Sequence, residues 1–327
     1  MADIRPLWLA SLVLVAILLP GVTSAWARSP EQHALAAPLP AAPPAAEVAP
    51  RPVEGPPTGV PAVIDAALDA RPLLERAQVV ALYGYPGIPA MGDLGKYTPD
   101  EAAAEVRRLV WVYDSLNGDR GAVGALDLIV SVAQAGRTPD GTYLSRLDPA
   151  IIASYVEAAR RNSVLLILDT QLGTVDPLEE ARRLEPFLTE PFVHLALDPE
   201  FALRARGGAP GRVIGSVDAA EVNAVQSYLA GLVRQHGLPP KLLVVHQFRA
   251  DMLTASAPWQ DLPEVQRVID VDAWGNLATK LGAYAAFGSA PTAPYAGFKL
   301  FEGWDVPLLA PSEVLALPRQ PDLVIYQ

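Results

Sequence analysis

From about Val63 to its end the chain repeats one pattern: a short apolar run rich in β-branched residues, a polar loop, then a segment of helical periodicity. The runs are VVALYGY (79–85), ALDLIVSV (125–132), SVLLILDT (163–170), FVHLALD (192–198), KLLVVHQF (241–248), RVIDVDA (267–273), YAGFKLFE (295–302) and DLVIYQ (322–327). They are apolar on both faces, the mark of parallel strands buried between two layers. Eight such strands over roughly 265 residues predict an α/β fold of the (β/α)8 TIM-barrel type, because an open doubly wound sheet of eight strands would be a larger than usual example.

Helix starts are written into the loops. Thr98-Pro99-Asp100-Glu101 is a capping box with proline at the first helical position, Asp176-Pro177-Leu178-Glu179 repeats it, and Asp148-Pro149 and Asp218-Ala219-Ala220-Glu221 fit less completely. After the fifth strand, Asp251 to Val265 carries Pro258 and Pro263 and reads as a long loop with short helical turns. Asn276 to Phe287 and Pro311 to Leu317 read as short helices. The chain stops on its eighth strand with no helix behind it, and the helical periodicity of Ala62 to Ala77 is expected to fill that position.

Residues 1–27 have a short charged start, an apolar run from Leu7 to Leu19, and the small-residue site Ala25-Trp26-Ala27, the pattern of a cleaved secretory signal. Residues 28–61 are rich in alanine and proline without an aromatic residue, so they are expected to form an extended spacer outside the fold, leaving 62–327 as the barrel domain. Export to a periplasmic or extracellular location follows, with membrane attachment only through an uncleaved signal. The chain has no cysteine, which removes disulfides, zinc thiolates and thiol nucleophiles. Its formal charge of −11 and lack of a basic run exclude a nucleic-acid binder. The Gly84 and Gly87 pair and the Gly207-Gly208 turn lack the spacing of a phosphate loop, so no cofactor is expected. The protein is expected to act as a monomer.

A barrel does its chemistry at the C-terminal ends of its strands. Polar and aromatic residues collect there: Tyr83 and Tyr85 on the first strand, Asp169 on the third, Asp198 and Glu200 on the fourth, His246 and Gln247 on the fifth, Asp270, Asp272 and Trp274 on the sixth, Lys299, Glu302, Trp304 and Asp305 on the seventh, and Tyr326 on the eighth. Loops gather polar residues for ordinary reasons, and an acid at such a junction often caps the next helix. Two acid pairs at i, i+2 are harder to dismiss. Strand alternation puts Asp198 and Glu200 on one face, and Asp270 and Asp272 repeat the spacing. His194, a layer deeper, is expected to hydrogen-bond within the barrel. Trp111 is expected in the core of the first helix, whereas Trp259, Trp274 and Trp304 follow strand ends five to seven, where aromatic faces beside acids suit sugars.

The Asp198-Pro199-Glu200 ending of the fourth strand resembles the Asp-x-Glu of chitinase-like and lysozyme-like glycoside hydrolase barrels. The longer chitinase-type pattern has acids where this chain has Val193 and Ala196, and a lysozyme-like barrel typically closes its first strand on an aspartate where this chain has Tyr83 and Tyr85. The resemblance implies Glu200 as general acid and Asp198 as its supporting carboxylate, with Asp270 or Asp272 stabilising the oxocarbenium-like centre or activating water. Tyr83, Tyr85, Asp169, His246, Gln247, Trp274, Lys299, Glu302, Trp304 and Tyr326 would bind the partner, a polysaccharide or cell-wall glycan. Three other readings stay open: a Mg²⁺-dependent hydrolase or lyase using the same acids, a Schiff-base enzyme using Lys299, and a secreted glycan-binding barrel without catalysis.

Overall fold

The structure, a computed structural model, describes residues 71–327. The expected signal, the spacer and residues 62–70 of the expected N-terminal helix lie outside the described residues. All eight predicted strands are present: β1 (Gln78–Gly84), β2 (Ala122–Ala133), β3 (Leu165–Gln171), β4 (Val193–Asp198), β5 (Lys241–His246), β6 (Val265–Val271), β7 (Tyr295–Leu300) and β8 (Leu323–Tyr326). Each pairs in parallel with the next, and β8 pairs with β1 to close the barrel. Closure removes the exposed edges that an open sheet would leave.

The helices begin where their caps predict. Helix α1 (Pro99–Leu116) starts on a full Thr98/Glu101 capping box, α2 (Pro149–Asn162) on Asp148, α3 (Pro177–Arg183) on Asp176, and α4 (Ala219–His236) on a full Asp218/Glu221 box. The second half of the barrel is more thinly clad, by α5 (Leu277–Ala283), which continues as a single π turn, and by α6 (Pro311–Leu315). No α-helix links β5 to β6; the long loop expected there carries one 3-10 turn, Ala250–Met252. There Trp259 lies over the guanidinium of Arg267, 4.8 Å from its ring centre, and Asn223 and Gln226 of α4 bond the backbone at Pro258 and Gln260. Trp259 therefore covers the outer wall and does not reach the mouth.

One packing expectation is seen only in part and another changes. Within the described part of Ala62–Ala77 there is one 3-10 turn, Leu73–Glu75, and it closes the barrel floor: Leu73 and Leu74 are buried, and Leu74 N–H donates to Gln266 Oε1 at the start of β6. Trp111 is 39% exposed, because the buried stripe of α1 runs through Ala103, Val106, Val110 and Tyr113.

Candidate active site

Side chains from strands that are not neighbours can meet only through the barrel interior. Tyr83 on β1 donates its hydroxyl to Asp169 Oδ2 on β3 at 2.7 Å. Lys299 on β7 sets its ammonium 3.4 Å from the centre of the Tyr83 ring, and His246 on β5 meets that ring edge-on. His246 Nδ1 shares a hydrogen bond with Asp270 Oδ2 on β6 at 2.9 Å, while its Nε2 faces Asp169 Oδ1 at 3.8 Å. Asp127, on β2, completes this layer. Space for it depends on Gly297 of β7, where an added Cβ would stand 2.6 Å from Asp270 Oδ1.

The layer is poorly neutralised. Both oxygens of Asp127, Oδ1 of Asp169, Oδ1 of Asp270 and Nε2 of His246 are buried without a hydrogen bond. Burial, reinforced by the Asp169 charge, pushes the Asp127 carboxyl well above the usual range. Burial and the same aspartate do likewise to the Tyr83 phenol, which therefore stays a neutral donor. Burial opposes a proton on His246, yet its hydrogen bond to Asp270 and the charges of Asp169 and Asp270 outweigh that and raise it to about 10. The ring is an imidazolium at neutral pH.

Above this layer lies the mouth. Strand β4 ends at Asp198, and Glu200 sits beyond it on a 3-10 turn, Pro199–Phe201, rather than on the strand face that alternation predicted. Asp198 Oδ1 accepts the Glu200 N–H at 3.0 Å, so the first acid caps the turn that aims the second. Burial, then the Asp198 and Asp272 charges, push the Glu200 carboxyl well above its ordinary value, although the residue as a whole keeps some exposure. Asp198 is raised to about 7 by burial and by Asp169 and Asp272, against the pull of His246 and Lys299. Asp272 is raised too, chiefly by burial. Three like-charged groups that cannot all ionise form a proton-holding set open to one side.

The remaining expected residues distribute as follows. Trp274 and Trp304 stand on the rim, 39% and 43% exposed, with rings 5.1 Å apart at 79°. Glu302 is exposed beside Lys96. Tyr85 is half-buried and bridges to Ile88, and the Gln247 amide donates to Arg249 O, so both shape loops. Tyr326 points out of the barrel and shares a hydrogen bond with Tyr113 of α1 at 2.7 Å; it is not part of the site. A β-strand presents alternate residues to the helices, and Tyr326 falls on that set. Asp305 is buried against Lys280 rather than facing the mouth. His194 accepts from Leu242 N–H at 3.1 Å, well below the site, as expected.

Two contributors were not anticipated. Asp127 stood in plain view as an acid inside the apolar run ALDLIVSV, where a charge has no cheap reason to be. Lys280 lies on a short helix, where a lysine is ordinary, and carries no such signal. A groove of about 490 Å³ on the outer wall, between β2, α2 and α3, is lined by Arg146, Glu180 and Arg183, but Arg146 and Glu180 are bound to each other at 2.5 Å. The acid oxygens without hydrogen-bond partners lie instead inside the barrel, on Asp127, Asp169 and Asp270, and at its mouth, on Asp272. Among the described residues no three His, Asp or Glu side chains are grouped as a metal ion requires. The chain matches no protein-family model, and no curated protein is significantly similar to it.

Proposed function

We propose that the protein is an exported glycan hydrolase that cleaves a glycosidic bond at the barrel mouth. The observation that carries this reading is the placement of Glu200: a partly exposed carboxyl group at the C-terminal end of the barrel, on a turn capped by Asp198, where burial and the neighbouring Asp198 and Asp272 raise its proton affinity. A carboxyl raised in this way is suited to donate the proton that departure of an alkoxide needs. Asp198 fixes the turn that carries Glu200. Asp272, at the end of β6 with a tenth of its side chain exposed, is the carboxylate that stabilises positive charge at the sugar carbon or activates water. Asp270 lies one layer down, where it orients His246 and makes no contact with substrate. The rim tryptophans supply a surface for sugar C–H faces.

The test is release of reducing ends from a panel of cell-wall and storage polysaccharides by the wild-type chain and by Glu200→Gln. Hydrolysis by the wild type that disappears in a folded Glu200→Gln protein supports the reading. An equally active Glu200→Gln enzyme refutes it.

A further inference from the structure

Resting on that reading, we propose that Trp274 and Trp304 form a sugar-binding corner for a neutral, all-equatorial pyranose, and that the buried Lys280–Asp305 pair is the positioning device that sets it. Trp274 lies between Ala273, whose carbonyl accepts from Lys280 Nζ at 2.9 Å, and Gly275, whose N–H donates to Asp305 Oδ1 at 3.1 Å. Trp304 immediately precedes Asp305. The same ammonium reaches Asp305 Oδ2 at 2.7 Å and the Lys299 carbonyl, while Phe301 N–H donates to Asp305 Oδ2 at 2.9 Å. All three ammonium protons and both carboxylate oxygens are thereby used, which a buried pair requires. A Val306 N–H to Gly275 O bond at 3.1 Å adds a direct tie between the β6 and β7 loops.

Two exposed indoles held nearly perpendicular by a buried pair make a rigid floor and wall, not a greasy patch that collapses on itself. A flat indole needs a flat partner, and an all-equatorial pyranose presents its axial C–H bonds as such a face. Charge narrows the choice further. Asp272 is two residues from Trp274, Glu302 two from Trp304, and the chain carries −11, so hydroxyls find acceptors there while uronates are repelled. The corner adjoins Asp272, which continues it into the mouth.

The experiment titrates the folded Glu200→Gln chain with cellohexaose, chitohexaose, maltohexaose and an oligogalacturonate, following tryptophan fluorescence and calorimetry. Expected is saturable binding of cellohexaose or chitohexaose, weaker binding of maltohexaose and none of the galacturonate. Adding Trp304→Ala or Trp274→Ala should weaken binding about tenfold. Lys280→Met should abolish the exciton-coupled circular-dichroism band of the indole pair and weaken binding alike; should that variant not fold, the two surface tryptophan variants still decide. Absence of saturable binding by both equatorial oligomers, or binding unchanged in the tryptophan variants, overturns the proposal. The reading of Glu200 fails separately: sugar bound at the tryptophans with no polymer cleaved by the wild type defeats hydrolysis and leaves the corner standing.

Discussion

Two groups of buried charge lie near the same end of the barrel and are built in opposite ways. Lys280 and Asp305 are of opposite sign, and every donor and acceptor between them is used. Asp198, Glu200 and Asp272 are of like sign, crowd one another, and sit above a layer where Asp127 has no hydrogen-bond partner at all. Burying charge costs several kcal/mol per ion unless it is paired. The first group recovers that cost locally, and the second does not. An arrangement that folding alone would discard is the one that invites a chemical explanation.

The comparison breaks most readily through two substitutions. Glu200→Gln removes the transferable proton while keeping shape, so activity on a cleaved polymer should fall by about 10²–10⁴-fold, with no loss of urea stability. Comparable activity would mean that the crowded acids are not the catalytic ones. Lys280→Met should do the reverse: it leaves Asp305 buried without its counter-ion, and should cost about 3–5 kcal/mol of stability in urea denaturation. A stability loss in Glu200→Gln matching that of Lys280→Met would erase the distinction between the groups.

Dependence on pH sharpens it. Asp127, Asp198, Glu200 and Asp272 hold protons more tightly folded than unfolded. Above the unfolded carboxylate range the unfolded chain has released protons that the native state keeps, so stability falls as pH rises from about 4 towards 7. His246, raised to about 10, adds stability below about 6.5 that is lost as pH climbs towards 10. Lys241, lowered to about 7, is charged in both states below that value and gives no slope there. His194, which burial pushes well below its ordinary value, works the other way up to about 6.5, but four raised carboxyls outweigh one lowered imidazole, so chemical denaturation should find the protein more stable near pH 5 than near pH 7. A midpoint that rises over that interval would show that the acids are ionised and paired. Activity carries the matching signature: the acid Glu200 and the carboxylate Asp272 are both raised, chiefly by burial, so the pH optimum should lie above that of a site built from ordinary carboxyls.

The fold was legible because closure leaves periodic traces. Each of the eight strands had to be apolar on both faces, and the helices of the first half announced themselves through Thr98, Asp148, Asp176 and Asp218. The helix-poor half was legible mainly as an absence of such signals, and proline at 258 and 263 was enough to predict it. At the site, Asp198, Glu200, His246, Asp272 and Lys299 were found by their place at strand ends. Tyr326 was misplaced because proximity to a strand end does not tell inside from outside; one residue of register does. Lys280 stayed hidden because its role depends on two loops meeting, Ala273–Gly275 with Phe301–Asp305, which no local pattern encodes. Strand alternation points to Glu200, but a turn capped by Asp198, beyond the strand, carries it.

The smallest effect isolates the deepest acid. Asp127 lies among Asp169, His246, Asp270 and Lys299, yet neither of its oxygens has a hydrogen-bond partner. Asparagine is nearly the same size and cannot ionise, so Asp127→Asn should stabilise the protein near pH 7, by about 1 kcal/mol, and flatten part of the decline between pH 5 and 7. The gain should shrink at pH 5, because ionisation of the Asp127 carboxyl favours the unfolded chain less there. That pH-specific gain separates a crowded acid from a structural one, because Asp305→Asn should weaken the Lys280 pair and destabilise at both pH values. If Asp127→Asn also destabilises at both, Asp127 belongs with Lys280 and Asp305 among the groups that hold the barrel together, and the line between support and chemistry moves up to the mouth.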